Sequence, residues 1–114
     1  SDMIIYAAIV FAITALGGLY LAGHVLRDRF APWAVSLLHA GLGALGLLLL
    51  IAALVQGSTS KAILIGFVIL LVAALGGFFL ASFHLRRSLP PKTAMVAHAG
   101  VAVVGFLTVL SQAF

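Results

Sequence analysis

The stretch IIYAAIVFAITALGGLYLAGHVL, residues 4–26, contains no charged residue and decides the fold of the chain. A helix rises about 1.5 Å per residue, so this segment is long enough to cross the roughly 30 Å hydrocarbon core of a bilayer. Three comparable apolar segments follow, at about residues 32–55, 61–85 and 93–113. The sequence therefore predicts an all-α protein with four transmembrane helices.

The composition agrees with a membrane protein. Of the 114 residues, 65% are hydrophobic and 7% are charged, and the mean hydropathy is +1.35. A soluble domain carries about 25% charged residues, so we expect one integral membrane domain, residues 1–114, in contact with the lipid bilayer and not with nucleic acid. The absence of cysteine excludes disulfides, thiolate metal sites and iron–sulfur clusters. Ser1 and Asp2 precede Met3 as a cloning remnant would, so the fold prediction leaves them out.

Short polar segments separate the four helices and predict an up-down bundle. In the second of them, residues 56–60, Gly57 is suited to end one helix and a hydroxyl residue to cap the next. Five of the six basic residues flank the first and third loops: Arg27, Arg29, Arg86, Arg87 and Lys92. By the positive-inside rule, these two loops are predicted to be cytoplasmic and both termini to lie outside a bacterial-type inner membrane.

The two halves of the chain match when they are offset by 59 residues. The offset aligns Leu16-Gly17-Gly18 with Leu75-Gly76-Gly77, Arg27 with Arg86, Pro32 with Pro91, His39-Ala40-Gly41 with His98-Ala99-Gly100, and Gly46 with Gly105. This pattern predicts a duplicated helical hairpin, residues 4–55 and 61–114, with a pseudo-two-fold axis along the membrane normal. One position breaks the match, since His24 aligns with Phe83 and the counterpart His84 comes one residue later.

Each apolar segment carries one histidine and, seven positions deeper, one glycine. The histidines are His24, His39, His84 and His98, and their glycines are Gly17, Gly46, Gly77 and Gly105. Seven residues make about two helical turns, so each pair shares a helix face, about 10 Å apart. All four histidines are expected in the cytoplasmic half, where each imidazole must satisfy its ring nitrogens. Such faces suit a large, flat ligand.

A b-type haem fits this pattern, because its iron takes two axial imidazoles and its ring needs small residues beside it. With these histidines and glycines the chain resembles the four-helix membrane cytochromes b, including the cytochrome b561 group. The resemblance implies haem b with bis-histidine ligation and electron transfer, near the cytoplasmic face, with a quinone or a redox partner protein. It implies an electron carrier or redox subunit more than a stand-alone enzyme. Those families usually place haems near both membrane faces, whereas all four histidines here are expected near one.

The histidine pairing and the identity of the ligand stay open at this level. Hairpin pairs, His24 with His39 and His84 with His98, would hold two haems, and we favour them because they use every histidine. A diagonal pair, His39 with His98, would hold one haem. Alternatively, the four imidazoles bind or transport a metal ion, with zinc, copper, nickel and iron as candidates. A further alternative is a structural or assembly subunit of a larger complex or homo-oligomer, with the glycines serving helix packing.

The acidic residues argue against a different class of membrane protein. Asp2 and Asp28 are the only two, and neither lies inside a predicted span. Proton-coupled transporters generally need an ionisable acid within the membrane. The small multidrug-resistance transporters, which have a similar length and helix number, are therefore rejected.

Overall fold

The computed structural model describes residues 2–57 and 59–114, and over these residues it contains four α-helices and no strand. The helices are α1 Asp2–Leu26, α2 Trp33–Gln56, α3 Lys61–Leu85 and α4 Lys92–Leu110. Each is long and apolar enough to cross a membrane. The all-α, four-helix prediction is confirmed, although α1 begins before Ile4 and α4 ends three residues before the predicted Ala113. Ser1 and Ser58 lie outside the described residues.

The second turn differs in part from its prediction. Gly57 does end α2, with a left-handed φ of 76° that glycine adopts without steric cost. Ser60 precedes α3, but its hydroxyl makes no cap hydrogen bond and instead donates to Oε1 of Gln112 at 2.7 Å. The predicted hydroxyl cap is therefore wrong at Ser60, whose side chain ties this turn to the end of the chain.

The four helices form a bundle of 44 × 23 × 20 Å in which each helix packs against the next in sequence. Helices α1 and α2 pack most extensively, as do α3 and α4, and the two hairpins meet through α1 with α4 and α2 with α3. Within the first hairpin, His39 lies against Thr14 and Gly46 against Phe11. Because α2 residues of higher number contact α1 residues of lower number, the two helices are antiparallel. The helix contacts form a ring, α1 with α2, α2 with α3, α3 with α4 and α4 with α1, so α2 and α4 stand on one diagonal and α1 and α3 on the other.

The hydrophobic core is concentrated at one end of the bundle. We call the end with the first and third loops the basic end, and the end with the termini and the second turn the far end. The main core cluster lies towards the far end and contains Ile4, Ala7, Ala8, Phe11, Leu50, Ala53, Ile63, Leu70, Val109 and Ala113. Between the level of Ala73 and the basic end, Met95 is the one buried apolar residue among those that the structure describes. The half of the bundle that carries the histidines is thus the more loosely packed half.

Large apolar side chains cover the outside of the bundle. Leu16, Leu19 and Val55, for example, are 68%, 70% and 81% exposed. An apolar surface of this extent is rare on a soluble monomer and is suited to lipid. Small residues meanwhile occupy many of the helix contacts, as expected where close packing of helices replaces the hydrophobic effect.

The structure repeats with the same offset as the sequence at the basic end. The N–H of Arg29 donates to the carbonyl of His24, and the N–H of Ser88 donates to the carbonyl of Phe83, both at 2.9 Å. The offset of 59 is therefore kept through the end of α3, and no local slip restores the match of His24 with His84. These two histidines occupy non-equivalent positions, about 100° apart around the helix.

Candidate ligand site between α2 and α4

His39 and His98 form the same hydrogen bond in the two hairpins. Nδ1 of His39 lies 2.9 Å from the carbonyl oxygen of Thr14, and Nδ1 of His98 lies 2.8 Å from that of Ala73. A carbonyl oxygen can only accept, so Nδ1 carries the proton and donates it in both rings. In a neutral imidazole this leaves the Nε2 lone pair available. Both histidines are therefore held in the tautomer that binds a metal through Nε2.

The two rings face each other across the middle of the bundle. The centroids of His39 and His98 are 6.3 Å apart, and the ring planes make an angle of 79°. The residues stand on diagonal helices at positions related by the offset of 59. Two imidazoles on opposite sides of one metal have centroids roughly 6 Å apart, since each metal–nitrogen bond is about 2 Å. The observed spacing matches that requirement.

Glycine pairs on the other diagonal give the imidazoles room. A Cβ added to Gly18 would lie 2.9 Å from Cε1 of His39, and one added to Gly77 would lie 3.2 Å from Cε1 of His98. A Cβ added to Gly17 would lie 3.9 Å from Nδ1 of His39, and one added to Gly76 would lie 3.5 Å from Nδ1 of His98. These contacts join neighbouring helices, whereas the sequence had related Gly17 to His24 and Gly77 to His84 along one helix. The imidazoles of α2 and α4 thus pack directly against glycine backbone of the neighbouring helices.

The other two glycines belong to the core. An added Cβ would lie 2.6 Å from Cζ of Phe11 at Gly46 and 2.7 Å from Cγ of Leu70 at Gly105. Both glycines are buried and allow the two helices of a hairpin to approach closely. In this structure Gly46 and Gly105 serve helix packing, which the sequence had left as the alternative to ligand contact.

His24 and His84 stand apart from the central pair. Gly17 adjoins His39, so His24, seven residues farther along α1, is displaced by about 10 Å along the helix. Its Nδ1 lies 3.0 Å from the carbonyl of Tyr20, and its ring adjoins the Tyr20 ring. His84 stacks on Trp33 with a centroid distance of 3.8 Å. The structure thus brings together the diagonal pair, not the hairpin pairs.

A shared four-histidine ion site is not formed by this arrangement. Within residues 2–57 and 59–114, no three histidine or acidic side chains are close enough to hold one metal ion. The pair His39 and His98 remains as the candidate ligand set.

An apolar groove gives access to His39 from the bundle surface. It lies between α1 and α2 and has a volume of about 390 Å³. Its lining consists of Ile13, Leu16, Gly17, Tyr20, Val35, Leu38, His39 and Leu42. A lipid-soluble molecule could therefore approach one histidine of the pair without crossing the core.

Sequence reasoning missed two features of the site. The first is the pair of backbone acceptors at Thr14 and Ala73, which carry no side-chain signal, although the offset of 59 relates them. The second is the stacking of Trp33 on His84, which depends on the contact between α2 and α3 and has no signal in the sequence. The doubled glycines of both halves were visible in the sequence, but their partners on the neighbouring helices were not.

Comparison with known proteins adds no relative: no family model, curated protein or solved structure matches the chain.

Proposed function

We propose that the chain is a membrane-embedded b-type cytochrome in which His39 and His98 bind one haem. The observation that carries the proposal is the pair of imidazoles 6.3 Å apart, each donating Nδ1–H to a backbone carbonyl. Such a hydrogen bond fixes the orientation of a ligand ring and raises its basicity. Haem bound in this way supplies one-electron chemistry, so the protein would carry electrons within the membrane.

Two further features fit haem at this pair. The loose packing of this half of the bundle leaves the two imidazoles half-buried instead of enclosed. Arg27 and Arg86 fold back along their helices, each donating Nε–H to the carbonyl four residues earlier. Their remaining guanidinium donors suit carboxylates such as haem propionates.

The protein residues divide the work of the proposed site between them. His39 and His98 would bind the iron, and the carbonyls of Thr14 and Ala73 hold their rings in one tautomer. The apolar side chains that border His39 would lower the local dielectric constant and so raise the effect of nearby charges on the redox potential. The groove that reaches His39 would admit a quinone as electron donor or acceptor, and a redox partner protein would dock at the basic end.

The test of this function is a visible spectrum of the purified protein. With haem supplied during expression, we expect a Soret band, split visible bands after dithionite, and one haem per chain by pyridine haemochrome assay. Two haems per chain would contradict the diagonal pairing. A colourless protein that does not bind added haemin would refute the cytochrome, and a stoichiometric metal without a Soret band would favour an ion-binding protein. Neither signal, with stable association into a larger complex, would favour a structural subunit.

We also propose that the chain is a duplicated helical hairpin whose four helices span the inner membrane with the basic end in the cytoplasm. The natural absence of cysteine makes single-cysteine variants clean reporters of sidedness. In intact cells stripped of the outer membrane, a membrane-impermeant maleimide should label Ser60→Cys, at the far end. Ser88→Cys, at the basic end, should be labelled only after the membrane is disrupted. The reverse pattern would invert the assigned orientation.

A further inference from the structure

The basic end contains two places that are equivalent under the offset of 59 but differ in chemistry. In the first place, Nζ of Lys92 lies 3.2 Å from Oδ1 of Asp28, forming an ion pair between the start of α4 and the first loop. In the second place, the offset puts Trp33 where Lys92 stands and Arg87 where Asp28 stands. The positive charge of Lys92 is thus paired with Asp28, whereas that of Arg87 makes no ion pair with any described residue.

The second place is a cavity, which we call the loop cavity. Its volume is about 410 Å³, and its lining consists of Phe30, Ala31, Pro32, Trp33, His84 and Arg87. His84 stacks on Trp33 at 3.8 Å with an interplanar angle of 5°, and Phe30 lies 6.3 Å from the same imidazole. The loop cavity therefore combines flat apolar walls with a cation and an imidazole.

The backbone of Arg87 is held in a costly conformation. Its φ is 55°, in the left-handed region, where a non-glycine residue costs roughly 1 kcal/mol. The equivalent Asp28, with φ 57°, is of a residue type that tolerates this region better. Glycine is the usual residue after a helix at such a position. A guanidinium placed there at a cost in backbone strain points to a role for its side chain.

We propose that the loop cavity binds the phosphate of an anionic phospholipid. Arg87 would supply the counter-charge, and an imidazole N–H of His84 would donate a hydrogen bond. The rings of Trp33 and Phe30 would pack against the glycerol and the first methylenes. Guanidinium groups are well matched to phosphate oxygens, and tryptophan favours the headgroup level of the bilayer. The net charge of +4, concentrated at this end, draws anionic lipids to the same leaflet.

The chemistry of the loop cavity favours a lipid over a free ion. Its lining combines one cation, Arg87, and one imidazole, His84, with mostly apolar and aromatic side chains. A phosphodiester with acyl chains suits both kinds of side chain, whereas inorganic phosphate would leave the aromatic rings unused. The inference does not depend on haem, because it concerns residues other than the histidine pair.

Native mass spectrometry of the purified full-length protein tests this assignment. The protein is released from micelles that contain phosphatidylglycerol, or phosphatidylcholine at equal concentration, and the retained lipids are counted. We expect one phosphatidylglycerol, bound about tenfold more tightly than phosphatidylcholine, which corresponds to roughly 1.4 kcal/mol. Inorganic phosphate at millimolar concentration should not displace it. Displacement would assign the loop cavity to free phosphate and overturn the lipid proposal.

Three variants separate the loop cavity from the general positive charge. Arg87→Gln should weaken phosphatidylglycerol binding about tenfold, while Arg87→Lys, which keeps the charge, should lose much less. Arg29→Gln removes a charge of the same end that does not line the loop cavity and should change binding less than twofold. Equal losses in Arg29→Gln and Arg87→Gln, or equal retention of the two lipids, would overturn the proposal. An unchanged thermal melt shows that each variant is folded.

Discussion

Replacing His39 with alanine is expected to abolish haem binding, so that the purified variant lacks the Soret band. The change removes one of the two proposed axial imidazoles and leaves only His98 near the centre of the bundle. Loss of a residue that merely orients a metal ligand costs about 10–100-fold in affinity, and loss of the ligand itself should cost more. His98→Ala should behave in the same way, because the two residues are related by the offset of 59 and make the same hydrogen bond.

The matched controls are His24→Ala and His84→Ala. Each removes an imidazole from a helix end, about 10 Å along the bundle from the central pair. Both variants should keep the haem content of the unmodified protein and the same reduced spectrum. If His24→Ala, His39→Ala, His84→Ala and His98→Ala each lost half of the haem, the hairpin pairs would be the true ligand sets. The measurement is haem per protein, normalised to the amount of folded, monodisperse material.

Replacing Gly46 with leucine is expected to destabilise the bundle by about 3 kcal/mol or more. Even a single Cβ at this position would lie 2.6 Å from Cζ of Phe11, and Phe11 is 6% exposed within the core. The Phe11 ring is packed within the main core cluster and has little room to turn away. The measurement is unfolding in mixed micelles with increasing sodium dodecyl sulfate, followed by circular dichroism.

Gly41→Leu provides the control on the same helix. Nothing lies within 4 Å of a Cβ added at Gly41, so this change should be neutral or slightly stabilising, since leucine favours helix over glycine by roughly 0.8 kcal/mol. In a second control, adding Phe11→Leu to the Gly46→Ala variant should restore part of the stability that Gly46→Ala alone loses. This prediction is independent of the ligand. Equal destabilisation by the two leucine variants would mean that close packing at Gly46 is not what holds the hairpin together.

The helices and their order were predictable because each depends on local properties of the chain. An apolar run of about 20 residues specifies a span by its length, and the short loops leave neighbours little choice but to pack antiparallel. The position of His39 near the start of α2 followed in the same way, from its place in the sequence. Gly57 was recognised as a helix end because its conformation is set within a few residues.

The pairing of the histidines was not predictable in this way, because it depends on the rotation of each helix about its own axis. That rotation is set by contacts between helices, such as Phe11 on Gly46, and the sequence does not state which faces meet. Spacing within one helix showed that Gly17 and His24 share a face. It could not show that this face meets His39 of the next helix. The diagonal pair was considered, but the preference for using all four histidines favoured the wrong geometry for His24 and His84.

The position of His39 and His98 on either side of the pseudo-two-fold axis bears on the ancestry of the chain. Each hairpin contributes one imidazole, one backbone acceptor and one glycine pair, so a single hairpin holds half of every component. Two identical copies, inserted side by side in the same direction, would therefore have assembled the complete centre as a homodimer. Gene fusion would then have released the two halves from identity. On this origin, one ancestral position would have become Trp33, which lines the loop cavity, in one half and Lys92, which pairs with Asp28, in the other.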